Sequence, residues 1–244
     1  MTGQAAASWG FVLAALAISY LIGSIPFAYI IVKAVTGEDV TTHGTGNVGS
    51  MNVRRTTGSW AWFAVAVLGD GMKGLVPTFL AKYLIVGGAG QFAAALHPWG
   101  ETLQSVSSPW VANPIFYVPM AAVAGAVVGH NYSCWMALIK RRFARTGKGL
   151  ATGAGALLAY DWRYFVVALV VALVVIAVTR YMMAGQVAAA AALPVTALAL
   201  GSPDWPFALL MGGVVYAAHH KRFIGMLHGR EPKLYINDRM GPKG

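Results

Sequence analysis

Between His43 and Arg55 the chain reads His-Gly-Thr-Gly-Asn-Val-Gly-Ser-Met-Asn-Val-Arg-Arg. Gly44, Gly46 and Gly49 permit positive φ and close backbone approach to a ligand. Successive N–H groups in such turns form nests that bind anions. Thr45, Asn47, Ser50 and Asn52 add polar side chains, and Arg54 or Arg55 adds a fork-shaped phosphate donor. Glycine alone would equally suit a linker or close helix packing. The asparagines and arginines favour an anion cradle.

Four further stretches carry polar chemistry. Gly-His-Asn-Tyr-Ser begins at Gly129, and Thr-Gly-Lys-Gly begins at Thr146. Residues 146–149 are expected to open a helix, placing Lys148 beside free N–H groups between Gly147 and Gly149. The spacing is not that of a Walker A loop. Lys148 as a membrane-interface anchor and His130 as a helix-end hydrogen-bonding group are the plainer alternatives. His130 and Ser133 join the candidate phosphate-binding set. Asp70 and Lys73 stand three apart, on one helix face, about 15 Å into an apolar run. Ionisable groups at that depth are costly unless paired or facing a polar cavity. A structural ion pair is the favoured reading, with Lys73 also a candidate phosphate ligand. The fourth stretch, starting at His219, places His220 where the last apolar run ends.

These groups must be positioned by apolar elements. The chain has 244 residues, 57% hydrophobic and only 11% charged, against about 25% charged in soluble domains. Mean hydropathy is +0.61. Apolar runs fall at about 9–33, 59–84, 111–130, 149–160, 162–179, 182–200 and 205–219. This predicts an all-α, polytopic integral membrane protein with about seven transmembrane helices. Pro26 interrupts the first run and frees a backbone group that a neighbour must satisfy. Pro77 and Pro194 are candidate kinks.

Net charge is +10. Clustering of the basic residues in short loops fits anionic headgroups and topology signals rather than nucleic acid. With the N-terminus outside, one face collects Lys33, Arg54, Arg55, Lys140, Arg141, Arg142, Arg145, Lys148, Arg180, Lys221, Arg222, Arg230, Lys233, Arg239 and Lys243. Only Lys73, Lys82 and Arg163 of the 18 Lys and Arg residues are left. The positive-inside bias therefore predicts a cytoplasmic C-terminus. A six-span count, fusing 149–179, would put the basic tail on the wrong face. Residues 1–228 are expected to form one membrane domain and 229–244 a basic cytoplasmic tail. Residues 87–109 should form an external loop. The first apolar run precedes its basic residue, Lys33, unlike a signal peptide, and is expected to be retained. Cys134 is the only cysteine, so no intrachain disulfide can form.

The ordered motifs resemble the bacterial acyl-phosphate:glycerol-3-phosphate acyltransferases, the PlsY family. The resemblance rests on residues 20–33, 44–58 and 147–152, on Asp-Gly-Met-Lys-Gly and Gly-His-Asn-Tyr-Ser, and on His-Gly-Arg-Glu-Pro at 228–232. It implies a seven-helix inner-membrane enzyme with its active site on the cytoplasmic face. The implied reaction moves a long-chain acyl group from acyl phosphate to the sn-1 hydroxyl of glycerol 3-phosphate. Lysophosphatidic acid and phosphate result, at the entry to phospholipid synthesis. The implied catalytic residues are Lys148, Arg55, His220 and Asn52. The implied substrate and phosphate ligands are Gly44, Thr45, Gly46, Asn47, Gly49, Ser50, Lys73, His130, Ser133, Gly147 and Gly149. No cofactor or metal is implied. The partners are the two substrates and membrane lipids, with no nucleic acid, and a monomer is possible.

The chain departs from the family pattern in four places. Ser50 and Met51 stand where the loop usually has Ala and Thr, and Thr41 where it has Arg. A longer, more basic segment, 138–149, replaces the usual Phe-Lys-Gly-Gly-Lys-Gly. Phe223 takes the place of an asparagine. The alternative is therefore a divergent paralogue that binds or transports anionic lipids or organic phosphates without acyl transfer. No inverted repeat of the transporter kind is visible.

Overall fold

The computed structural model describes residues 3–86 and 114–230. The expected external loop, and all of the basic tail beyond Arg230, lie outside the described residues. Every regular element described is helical. The helices are α1 (Gly3–Gly23), α2 (Phe27–Thr36), α3 (Ser50–Thr57), α4 (Trp60–Leu80), α5 (Tyr117–Asn131), α6 (Cys134–Lys140), α7 (Leu150–Tyr160), α8 (Trp162–Thr179), α9 (Met182–Ala199) and α10 (Trp205–Leu227). Among the described residues, five stretches are long and apolar enough to cross a membrane: Trp9–Thr36, Trp60–Tyr83, Pro114–Lys140, Trp162–Thr179 and Met182–Ala199. Leu150–Tyr160 and Trp205–Ala217 are apolar but shorter.

The chain divides into two compact units, Met1–Tyr160 and Asp161–Gly244. In the first, α1 packs along α5, and α4 along α7. Small residues let these backbones touch. A Cβ on Gly125 or Gly129 would overlap the Leu16 or Tyr20 carbonyl oxygen of α1. Gly74 on α4 meets the Thr152 carbonyl, and Gly155 on α7 meets that of Gly71. In a bilayer, where lipid is as apolar as leucine, such close van der Waals packing is what holds helices together. Gly74→Val is expected to cost about 1–3 kcal/mol through forced separation of α4 and α7. Unfolding in detergent checks this, and an unchanged midpoint would show that the seam yields freely.

The first apolar run is two helices, not one. Pro26 has no N–H to continue the ladder, and Ile25 N–H turns instead to the Ile22 carbonyl at 3.1 Å. The exposed carbonyls find side chains. Trp135 Nε1 donates to Leu21 O at 3.0 Å, Ser133 Oγ donates to Ser24 O, and Lys73 Nζ donates to Ile25 O at 2.8 Å. The break thus gathers α4 and α6 around one point.

In the second unit, α9 packs against both α8 and α10. Asp161 caps α8 through the Arg163 N–H at 2.9 Å, and Tyr164 Oη donates to Asp204 Oδ1 at 2.6 Å. Pro77 lies inside α4 and Pro194 inside α9, and both helices continue past them.

Candidate active site

The glycine-rich segment after α2 is built as a folded loop. Gly37, at φ 72°, ends α2 by returning its N–H to Lys33 O. Asp39 then accepts from the Thr41 N–H at 2.9 Å and the Thr41 hydroxyl at 2.7 Å, capping a single helical turn. Lys140 pairs with the other Asp39 oxygen. Val40, Val48 and Val53 anchor the loop in an apolar core with Ile31, Val32, Ala66 and Met136.

Asn52 organises the turn. Its Nδ2 donates to Val40 O at 2.8 Å and to His43 O at 2.9 Å. Both donors are thereby used, so the amide orientation is fixed and Oδ1 is the acceptor. That oxygen is buried without a hydrogen-bond partner and lies against Gly44, which has φ 54°. No side chain caps α3 at its Gly49 N-cap. Its first N–H groups and positive dipole end therefore suit an anion.

The two arginines separate. Arg54 lies over the Trp60 ring at 4.9 Å. Arg55 is exposed, and its stem passes beside Gly44. Thr45 and Gly46 are exposed, with Asn47, Gly49 and Ser50 half-buried.

The second glycine segment packs directly on the first. Val48 N–H donates to Thr146 O at 2.8 Å, and Thr146 N–H to Asn131 O at 2.8 Å. The Thr146 hydroxyl donates to His130 O at 2.7 Å and accepts from Ser133 N–H at 3.3 Å. Thr146 therefore joins both loops to the end of α5. Sequence reasoning did not single it out, because a threonine before a glycine pair carries no signal of long-range bonding. Gly149 has φ 73° and adjoins Asn131 Oδ1, a second buried acceptor without a hydrogen-bond partner.

Lys148 sits between these glycines, two residues before α7 rather than inside its first turn as expected. Positive φ at Gly149 is the reason: the chain must turn before it can coil. Gly147 covers the imidazole of His130. Ser133 caps α6 through the Met136 N–H at 3.1 Å while donating to Ser24 O. Lys73 is held by Asp70 and Ile25. His220, in the second unit, is exposed, with Nδ1 2.8 Å from Ala217 O.

What these features define first is a class. This is a polytopic helical membrane protein with two glycine loops joined by a backbone hydrogen bond. The family model for glycerol-3-phosphate acyltransferase matches residues 13–229, and the chain belongs to that family. The glycerol-3-phosphate acyltransferase of Synechococcus sp. (strain JA-3-3Ab) is 34% identical over 218 residues, 88% of this chain and 89% of the relative. That of Gloeobacter violaceus is 32% identical, covering 93% of this chain and 97% of the relative. Among solved structures, the fold matches PlsY, an integral membrane glycerol 3-phosphate acyltransferase, in its glycerol 3-phosphate form. The TM-score is 0.71 at 23% identity, over 92% of this chain and 96% of PlsY. A lysophosphatidic acid form of PlsY matches with TM-score 0.70.

Proposed function

We propose that this protein transfers a long-chain acyl group from acyl phosphate to the sn-1 hydroxyl of glycerol 3-phosphate. The products are lysophosphatidic acid and inorganic phosphate. Both substrates carry phosphate, so two neighbouring anion sites are required. The observation that carries the reading is the Val48–Thr146 bond, which sets the Arg55 loop against the Lys148 turn.

The chemistry balances without a protein nucleophile. The sn-1 oxygen attacks the acyl carbon, and the bond from that carbon to the phosphate oxygen breaks. The departing phosphate accepts the hydroxyl proton. The protein then has to position the substrates and stabilise charge. Lys148 and Arg55 neutralise phosphate oxygens. Asn52 keeps the first loop in shape through its two Nδ2 hydrogen bonds. Backbone and side chains of Gly44, Thr45, Gly46, Asn47, Gly49, Ser50, Gly147 and Gly149 cradle the phosphates. Lys73, His130 and Ser133 belong to the same site and lie beneath that cradle. No cofactor enters.

Residues 1–228 form the acyltransferase domain and 229–244 its basic cytoplasmic tail. The two shorter apolar helices complete a seven-span topology in the inner membrane, with the N-terminus outside. The distribution of Lys and Arg supports placing both glycine loops on the cytoplasmic face.

Purified protein supplied with palmitoyl phosphate and labelled glycerol 3-phosphate is expected to yield labelled lysophosphatidic acid and equimolar phosphate. A folded sample that forms neither excludes the reaction. Phosphate release in detergent, with no membrane barrier present, would separate transfer from transport.

A further inference from the structure

Asp70, Lys73 and His130 form a polar knot below the 147–149 turn, only 3%, 4% and 7% exposed. Lys73 Nζ is 2.8 Å from Asp70 Oδ1. It also donates at 2.8 Å to the Ile25 carbonyl that the Pro26 break releases. His130 Nδ1 faces the same Asp70 oxygen at 3.6 Å. The opposite edge of the imidazole abuts Gly147 so closely that a Cβ there would overlap Nε2 and Cδ2. The His130 carbonyl accepts from Thr146, which precedes the same turn.

One chain of contacts therefore runs from the break in the first membrane run, through α4 and α5, to the turn that carries Lys148. Buried charge is weak evidence for stability, since apolar residues of the same volume often serve as well. Acyl transfer with the leaving phosphate as proton acceptor gives these groups no proton to move. Their contacts lead to the turn instead.

We propose that Asp70, Lys73 and His130 are positioning residues that hold the 147–149 turn, and hence Lys148, at a fixed distance from the helix break. This rests on the acyl-transfer reading. His130 acts as the spacer, with Asp70 fixing its ring and Lys73 fixing Asp70. A displacement of about 1 Å at the turn would cost about 10²-fold in rate.

The test uses the full chain in detergent, with melting temperature, kcat and KM for glycerol 3-phosphate measured on every variant. The paired change Asp70→Asn with Lys73→Met removes both charges together and so leaves no unpaired buried ion. It is expected to melt close to wild type yet lose about 10²-fold in kcat/KM. A second arm needs no charge change. Gly147→Ala and His130→Ala are each expected to lose about 10²-fold, and the double variant no more than either single, because both act on one contact. A folded charge-free pair with wild-type kcat/KM overturns the proposal. So does a His130/Gly147 double variant whose losses multiply to about 10⁴-fold. Should the charge-free pair not fold, the second arm alone decides. A wild-type enzyme with no acyl transfer would instead sink the functional reading.

Discussion

Lys148→Ala is expected to lower kcat with acyl phosphate and glycerol 3-phosphate by about 10²–10³-fold, the scale for loss of one donor that stabilises developing charge. The fold should survive the change. The turn around Lys148 is tied down by backbone groups: Val48 to Thr146, and Thr146 to Asn131. Gly149 sets its direction through positive φ. None of these requires the amine. Initial rates together with a detergent melting curve check the result. Full activity in the alanine variant would remove Lys148 from the site.

Gly44→Ala should have a comparable effect for a different reason. At φ 54° an added Cβ strains the backbone by roughly 1–2 kcal/mol and also strikes Asn52 Oδ1. Asn52 can escape only by loosening its bonds to Val40 and His43, which define the loop. The Arg55 stem, 3.2 Å from the same Cβ position, is displaced as well. A fall of about 10²-fold in kcat/KM is expected, as for a misplaced binding group. Gly37→Ala provides the control. Its φ is 72°, but nothing lies within 4 Å of an added Cβ, so it should lose stability without losing activity. If the two variants behave alike, backbone strain accounts for everything and the Asn52 contact is irrelevant.

The departures from the family pattern can be placed in part. Thr41 serves the loop itself, giving both its N–H and its hydroxyl to Asp39. Of the longer basic segment, 138–140 form the last turn of α6, where Lys140 pairs with Asp39 ahead of the first glycine loop, and the remainder leads to Gly147. Met51 falls in the first turn of α3, and nothing in the structure accounts for the hydroxyl replaced there.

Much of the protein was legible from residue types. Apolar runs longer than a bilayer is thick admit few structures other than helices, because no water is present to satisfy the backbone. The glycine loops were legible because positive φ and close approach leave few alternatives to glycine. The pairing of Asp70 with Lys73 followed from helical spacing. Helices α3 and α6 were not foreseen. They are short and polar or mixed, and helices of that length are marginal without tertiary packing. Val53 and Met136, both buried in the core beneath the loop, supply it.

The sequence by itself determined the class of the chain, its apolar spans and the residues available to bind phosphate, since each follows from local composition and period. Tertiary structure alone decided which of those residues meet. It separated Arg55 from Arg54, made Thr146 the joint between the loops, and set His130 between Asp70 and Gly147. Those contacts join positions from 13 to nearly 100 residues apart. Spacing along a chain carries no record of such distances; only the packing of backbone on backbone at glycine, and the need to satisfy carbonyls exposed at Pro26, brings them together.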